Sequence, residues 1–431
     1  MGRKYAFVIW ALAAAAAPVA AAQSLEETLA LAEVSNPFLD VTVTEAEIAR
    51  EALEEARAQG RVNVTVSASA GVESRESDQP FAFQQGERAQ ASAQLEAALP
   101  IYTGGRIAAG VRAAEAGISA ADARLEAQRQ SIYLQAIDAF LNVTASRATV
   151  DIRENNVGLL LEQVEAAQSR FRVGFITRTD VALAEARLAG ARAGLAASEA
   201  VLERFEADYA AVTGVEPGVL GPVPPSPILP ADLDEALAVL LETNPSLLAL
   251  QEDVRAATEA VEIEESAKRP QLSIVGTATG QQDFEDDLSD TTVGAFARGS
   301  VPLFQGGIVN SRVRSAKLRR EAARFQVQAT ERDLRAGLAT AWFANIAAQR
   351  SIEASELQIE AAEIAFEGAQ RELSVGTRTT LDVLDSEQDL LDARLTLVEA
   401  ERDAQLAAYQ ILQAIGALDR TRILPPPAVQ P

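Results

Sequence analysis

The sequence predicts a mainly α-helical protein in which long, coiled-coil-like helices alternate with β-hairpins, four strands in each chain. Three observations predict this fold class. The chain contains two copies of one pattern, and each copy has a proline-free stretch with apolar or small residues every three or four positions. Each copy also has a segment in which apolar residues alternate with polar ones. The first pattern is typical of packed helices and the second of strands.

The duplication is visible in three pairs of segments. SLEETLALAEVSNPFL (24–39) returns as DLDEALAVLLETNPSL (232–247), LPIYTGG returns as VPLFQGG, and VGFITRTDV returns as VGTRTTLDV. Six of the 14 residues at 217–230 are prolines, which predicts an extended linker. The predicted segments are a first structural repeat (23–216), a proline-rich linker (217–231), a second structural repeat (232–418) and a C-terminal tail (419–431).

The long helices are predicted from the proline-free stretches, 101–216 and 303–424. A single helix over 106–172 would be roughly 100 Å long at 1.5 Å per residue. Helices over 25–59 and 180–214 would each have about half that length, so the two stacked end to end would match the long one. Each copy would then contribute two full-length rods.

The strands are predicted in two hairpins, 61–101 and 270–304, where the hydrophobic period is two. The predicted strands cover 62–72 and 89–99 in the first hairpin, and 271–280 and 291–303 in the second, where the alternation is weaker. A run of about 11 residues is the length that a tilted strand needs to cross a bilayer. The alternative is a pair of soluble hairpins that are half buried on helices.

Residues 1–22 have the form of a secretory signal peptide, with cleavage expected after Ala22. No later stretch of about 18 apolar residues follows, so a membrane-inserted mature chain would have to form a closed β-barrel. Four strands cannot close a barrel, and a sheet edge cannot stay open in lipid. Several chains must therefore share one barrel. Two would supply eight strands and three would supply twelve, and the residue pattern does not choose between them.

Composition excludes several functions. The chain has no cysteine and no histidine, which removes thiol catalysis, the usual zinc ligand sets and imidazole acid–base chemistry. We therefore expect no enzyme activity, no metal and no cofactor. The net charge of −24 argues against nucleic acid as a partner. The same acidity fits either a solvated surface or an acidic, water-filled conduit.

Two segments resemble a known family. SVGTRTTLDVLDSEQDLLDARLTLVEAERD (374–403) and RFRVGFITRTDVALAEARL (170–188) are similar to the helix-hairpin turns of TolC-like outer-membrane efflux proteins. The N-terminal L-x-x-x-L-x-L-A-x-x-x-N-P pattern and the strand exit P-I-Y-x-G-G agree with this resemblance. It implies a homotrimer with a twelve-stranded transmembrane β-barrel in outer-membrane lipid and a twelve-helix α-barrel in the periplasm.

The same resemblance implies an exit duct for type I protein secretion or multidrug efflux, or both. Such a duct docks to a periplasmic adaptor (membrane fusion) protein and an inner-membrane transporter. The alternative function is a secreted or periplasmic structural coiled coil without a pore.

The resemblance also implies roles for single residues. Asp382 and Asp385 correspond to the family's aspartates at the periplasmic aperture, where three copies of each would form two acidic rings that favour cations. Asp382 also completes a capping box with Thr379 at a helix start, which is the alternative role for this carboxylate and can coexist with the first.

Thr179, Asp180 and Arg378 correspond to positions that tie neighbouring helix pairs shut in the family. The family's gate tyrosine corresponds to Leu373, which has no hydroxyl, so we expect a gate that is weaker or built differently. Six residues at the hairpin tips are implied to contact the adaptor: Val173, Gly174, Thr177, Val375, Gly376 and Thr379. The two glycines are also expected to permit the positive φ of a tight turn.

Overall fold

The computed structural model describes residues 23–75, 86–284 and 288–420. The predicted signal peptide and nearly all of the predicted C-terminal tail lie outside the described residues. None of the helices in the described part of the chain has the length and apolar character needed to cross a membrane.

The same order of elements, helix–helix–strand–strand–helix–helix, occurs twice. The first set is α1 (Leu25–Ser35), α2 (Pro37–Ala58), β1 (Asn63–Arg75), β2 (Gly86–Tyr102), α3 (Arg106–Arg172) and α4 (Arg178–Thr213). The second set is α5 (Leu233–Thr243), α6 (Pro245–Ser266), β3 (Gln271–Asp283), β4 (Leu288–Ser300), α7 (Ile308–Ser374) and α8 (Thr380–Ala414). The exact boundaries assigned above to the two structural repeats stay predictions.

The long helix predicted over 106–172 is α3, with the same first and last residues, and α7 has the same length of 67 residues. The single helix predicted over 25–59 is wrong. Asn36 is extended (φ −83°, ψ 112°) and separates α1 from α2, which begins at Pro37. Proline has no N–H to donate to the preceding turn and disfavours helical backbone at the residue before it, so the helix must restart there.

The four strands form one antiparallel sheet in the order β1-β2-β3-β4. One row across the sheet is apolar and the adjacent row is polar. The apolar row consists of Val66, Leu95, Ala278 and Val293. The polar row consists of Ser67, Gln94, Thr279 and Thr292. The alternation predicted from sequence thus separates the two faces of the sheet.

The predicted position of the fourth strand is wrong by three residues at each end. β4 spans Leu288–Ser300 instead of 291–303 because its register is set by β3, with Leu288 opposite Asp283 and Ser300 opposite Gln271. Beyond Ser300, Pro302 cannot donate a backbone hydrogen bond to a continuing ladder. β1 and β4 are the edge strands of the sheet.

The chain divides into two compact units. One comprises 38–128 and 238–336 and contains the sheet; in it, the Arg112 guanidinium on α3 lies 2.7 Å from the Glu259 carboxylate on α6. The other comprises the remaining segments, with α4, α8, the linker and the far ends of the long helices. Its fully buried aromatic side chains are Phe140, Tyr209 and Tyr409.

Within the unit that contains the linker, Arg147 of α3 holds the linker in place. Its Nη1 donates to the carbonyl of Gly218 at 2.7 Å, and its Nη2 lies 2.6 Å from the Glu206 carboxylate on α4. One side chain thus fixes both an extended segment and a neighbouring helix.

Candidate functional site at the helix-hairpin tips

The first tip (170–180) joins α3 to α4 through a turn that requires glycine. The N–H of Gly174 donates to the Phe171 carbonyl at 2.9 Å, and the N–H of Phe175 donates to the Arg170 carbonyl at 2.9 Å. These two bonds form a Schellman motif, which satisfies the last carbonyls of α3. Gly174 has φ 78°, in the left-handed region that side chains with a Cβ rarely adopt.

The second tip (372–382) repeats this turn between α7 and α8. The N–H of Gly376 donates to the Leu373 carbonyl at 3.1 Å, and the N–H of Thr377 donates to the Glu372 carbonyl at 3.0 Å. Gly376 has φ 82°. Leu373, at the position of the family's gate tyrosine, contributes its carbonyl to the turn, and its side chain is half buried. The structural role expected of the two glycines follows directly from these φ angles.

Both tips continue into a capping box. At the second tip, the N–H of Thr379 donates to Asp382 Oδ2 at 2.9 Å, and the N–H of Asp382 donates to Thr379 Oγ1 at 3.3 Å. Thr177 and Asp180 repeat these bonds at 2.9 and 3.3 Å. Each aspartate thereby satisfies donors at the positive end of a helix dipole. The capping role that the sequence offered for Asp382 is present, and its pore-lining role stays a prediction.

The capping geometry also controls the charge of Asp382. The backbone N–H of Thr379, then the Thr379 hydroxyl, and the positive charge of Arg378 hold the pKa of the Asp382 carboxyl below its ordinary value of 3.8. This carboxylate is therefore ionised at every pH near neutrality. A ring of such groups would keep its negative charge under all ordinary conditions.

Asp385 is held by a residue that the sequence analysis missed. Nη2 of Arg187 on α4 lies 2.7 Å from Asp385 Oδ1 on α8, and both side chains are partly exposed. The pair ties the first helical hairpin to the second. The sequence carried no signal for this pair, because the two residues lie on different helices and are 198 residues apart.

Arg378 is also paired, although within its own tip. Its Nε lies 2.7 Å from Glu372 Oε2, at the end of α7. Thr179 is exposed, and Asp180 is engaged in its capping box. In the part of the chain that the structure describes, no bond joins Arg378 to Asp180, so the gate contacts implied for Thr179, Asp180 and Arg378 stay predictions.

The tips expose apolar side chains. Val173 is 74% exposed and Val375 is 73% exposed, and Phe175, which the sequence analysis did not single out, is 83% exposed. A large aromatic ring held in water at a turn gains nothing for the fold, whereas exposed apolar groups are common where another protein binds. Phe175 therefore joins the candidate contact residues.

Beneath the tips, the helices meet in a small apolar core. It contains residues of α3, α4 and α8: Leu160, Val164, Ala167, Ala184, Leu188 and Leu384. Leu384 brings α8 onto the first hairpin.

One turn further along α8, Glu387 is only 4% exposed, and neither carboxylate oxygen has a hydrogen-bond partner among the described residues. Burial raises the pKa of Glu387 to about 7. The burial of Glu387 could not be predicted from sequence, because a glutamate in a heptad pattern is ordinarily exposed to solvent.

Solved structures share this fold. The Campylobacter jejuni CmeC outer membrane channel superposes with a TM-score of 0.81 at 17% identity, over 91% of this chain and 85% of that one. The outer membrane protein VceC from Vibrio cholerae superposes with a TM-score of 0.78 at 21% identity, over 91% of this chain and 96% of that one. The chain therefore has the fold of these two outer-membrane proteins.

Sequence comparison identifies the family. Residues 28–214 and 236–417 match the outer membrane efflux protein family. The outer membrane efflux protein BepC of Brucella suis is 33% identical, over 72% of this chain and 68% of that protein. The outer membrane protein TolC of Vibrio cholerae is 26% identical, over 70% of this chain and 72% of that protein.

The chain belongs to the outer membrane efflux protein family, and its location is the outer membrane. The predicted fold class, membrane location and efflux function are confirmed, and the pore-free coiled coil is disfavoured.

Proposed function

We propose that three copies of this chain share one twelve-stranded β-barrel in outer-membrane lipid, continued by a twelve-helix barrel in the periplasm. The resulting tube is an exit duct for type I protein secretion or multidrug efflux. Its tips dock to a periplasmic adaptor, which connects the duct to an inner-membrane transporter. The observation that carries this proposal is the sheet with two edge strands.

The edge strands need a partner. β1 and β4 each pair with one neighbour among the described strands. Their apolar face is exposed, with Val66 of β1 at 71% and Val293 of β4 at 76%. An open edge in hydrocarbon would leave backbone N–H and C=O groups without partners, at several kcal/mol for each group. Pairing β4 of one copy with β1 of the next removes every edge, and the family resemblance sets the number of copies at three.

The proposed aperture uses the second tip of each copy. Three ionised Asp382 carboxylates and three Asp385 carboxylates would form two acidic rings, and such rings favour cations in a narrow pore. The Arg187–Asp385 pair would hold the two hairpins of each copy together in the resting state. The apolar side chains of Val173, Phe175 and Val375 would form the adaptor contact.

The shared barrel can be tested by crosslinking, because the chain has no cysteine of its own. Ser67 and Thr292 lie at opposite ends of one polar row across the sheet, separated by three strand spacings, or about 14 Å. A bis-maleimide shorter than this cannot join Ser67→Cys to Thr292→Cys within one chain. In a shared barrel it joins neighbouring copies, and a denaturing gel should show a ladder that ends at three chains.

The matched control is Gln94→Cys with Thr279→Cys, which are direct neighbours inside one sheet. This pair should crosslink within the chain and give no ladder. Edge cysteines that yield only single chains, or a ladder that continues beyond three, would overturn the proposed trimer.

The acidic rings can be tested by planar-bilayer recording of the purified protein. We expect a cation-preferring pore of low conductance at rest. Asp382→Ala combined with Asp385→Ala should remove most of the cation preference, because the fixed charge at the constriction is lost. Unchanged ion selectivity would show that neither residue lines the pore. Identifying the adaptor that co-purifies with the duct would distinguish drug efflux from type I protein secretion.

A further inference from the structure

A second potential binding region lies on the unit that contains the tips, away from the aperture residues. A cavity of about 460 Å³ opens between α3, α4 and α8. Its wall combines apolar side chains, among them Val201, Phe205 and Val398, with three arginines: Arg153 of α3, Arg204 of α4 and Arg402 of α8. We call this region the arginine cleft. A mostly apolar hollow with a few convergent polar groups is the usual form of a small-molecule site.

Two of the three arginines lack a carboxylate partner. Arg153 and Arg204 form no ion pair with any described residue, although the chain carries 62 acidic residues against 38 basic ones. Nε of Arg153 is buried and has no hydrogen-bond acceptor. A buried donor without an acceptor is unfavourable, and more so when it belongs to a charged group. One donor of the half-buried Arg153 guanidinium is therefore unsatisfied among the described residues.

The local structure keeps Arg153 in place. A Cβ added to Gly194 of α4 would lie 2.7 Å from Arg153 Nη1, so the guanidinium packs closely against α4 at this glycine. Arg204 lies over the ring of Phe205, with 4.4 Å between Cζ and the ring centroid. This cation–π contact orients the guanidinium without neutralising its charge.

The third arginine and the acidic neighbours limit the charge of the cleft. Arg402 donates to Asn142 Oδ1 at 3.2 Å and lies 3.1 Å from the Asp403 carboxylate, so part of its charge is compensated. Glu399 is the acidic residue among the lining side chains. Arg153 and Arg204, opposed by one lining carboxylate, leave the cleft positive inside a chain whose net charge is −24.

We propose that the arginine cleft binds an organic anion that has an oxyanion group attached to an apolar body. The oxyanion would accept hydrogen bonds from the planar guanidinium groups of Arg153 and Arg204, the geometry for which arginine is best suited. The apolar body would lie against Val201, Phe205 and Val398. This site does not use the aspartates at the aperture, and all the residues that line it belong to one chain.

The test is ligand-observed fluorine NMR on the purified full mature protein, with 4-fluorobenzoate as the probe and neutral 4-fluorobenzamide as its matched control. We expect the signal of the benzoate, and not that of the amide, to broaden, and inorganic phosphate to reverse the broadening. Arg153→Gln combined with Arg204→Gln should weaken benzoate binding by at least about tenfold, since each loses a charge-assisted hydrogen bond. Arg153→Lys should bind with intermediate affinity, because it keeps the charge and loses the planar fork.

The control variant is Arg192→Gln, which removes the same charge from an exposed position of α4 outside the cleft. Its benzoate affinity should equal that of the wild type. Equal binding of benzoate and benzamide, or an equal loss in Arg192→Gln, would overturn the proposal. If the wild type binds no benzoate and the double variant only loses thermal stability, the two arginines serve packing and the binding site does not exist.

Discussion

The two hairpin tips have the same backbone and different side chains. Each ends a 67-residue helix in a Schellman turn at a left-handed glycine, Gly174 or Gly376, and starts the next helix with a Thr–Asp capping box. Beyond the caps the two copies diverge. Leu183 of α4 corresponds to Asp385 of α8, and exposed Glu185 corresponds to buried Glu387. The duplication has kept the groups that make the turn and changed the groups that follow it.

This difference indicates which positions serve the fold and which serve a function. A turn needs its glycine and its cap in both copies, because the orphan carbonyls and N–H groups of two long helices must be satisfied at each tip. Only the second copy carries acidic residues at both positions that follow its cap. Asp385 is paired with α4, and Glu387 is buried without a hydrogen-bond partner among the described residues. We therefore expect the second copy to control the opening of the aperture that we propose.

The largest expected effect concerns the shared glycine. Gly376→Val forces a β-branched residue into a left-handed backbone, at a cost of about 1–2 kcal/mol, and displaces the exposed tip. We expect the trimers to assemble and export to be abolished. The measurement is dye efflux by cells that produce only the variant, together with the fraction of trimer on native gels. Loss of the trimer would instead show that Gly376 is needed for folding or assembly.

Gly174→Val tests whether the first tip is equivalent. Its φ of 78° is close to the 82° of Gly376, so the two substitutions should distort their turns equally. Gly376→Asn is the matched control, since asparagine tolerates left-handed backbone and should keep export. Full export by Gly174→Val with none by Gly376→Val would show that only the second tip takes part in docking.

The next effect concerns the buried carboxyl of α8. The ordinary pKa of a glutamate is 4.5, and burial raises the pKa of Glu387 to about 7, so the native state binds this proton more tightly than the unfolded state. The free energy of unfolding should therefore fall as the pH rises from about 4.5 to about 7, by roughly 3 kcal/mol at most. Glu387→Gln should raise the melting temperature at pH 8 and change little near pH 5.

Glu185→Gln is the control for this measurement. Glu185 occupies the same position in α4, is exposed and accepts a hydrogen bond from Gln168 Nε2 at 3.2 Å. Its replacement should leave the pH dependence of the melting temperature unchanged. Equal changes in melting temperature in the two variants would mean that Glu387 is solvated. Glu387 and Glu185 would then not differ in burial.

A smaller effect is expected from the caps. Thr379→Ala removes the acceptor for the Asp382 N–H and should lower the free energy of unfolding by about 1 kcal/mol. Thr177→Ala should cost the same, because the bonds at the first tip have equal lengths. Chemical denaturation of the two variants under identical conditions measures both losses. A difference of more than a factor of two between them would contradict the equivalence of the two turns.

Sequence predicted the local features of the fold and missed the distant ones. Helix α3 was predicted to the residue because heptad spacing and the absence of proline act along one helix, and the capping boxes are pairs three residues apart. The single helix over 25–59 was wrong because Pro37 interrupts a helical pattern that continues on both sides of it. β4 was misplaced because strand pairing with β3 fixes its register, and alternation alone is weak for a single strand.

The contacts of the candidate site were the hardest to predict. Arg187 and Asp385 are 198 residues apart in sequence, and Glu387 has no neighbour in sequence that marks it as buried. Which face of α8 is covered depends on the packing of several helices, and a heptad pattern without the partner helix does not determine it.

The smallest change in stability should come from the pair that joins the two repeats. Arg187→Ala removes an exposed ion pair, so the free energy of unfolding should change by less than about 1 kcal/mol. The resting conductance in planar bilayers should nevertheless rise, because α4 and α8 lose their tether. Asp385→Leu, which gives α8 the residue of α4, should raise conductance equally, whereas Arg192→Ala on the exposed face of α4 should not. If conductance rises only in Asp385→Leu, the lost negative charge is its cause and Arg187 is no part of the gate.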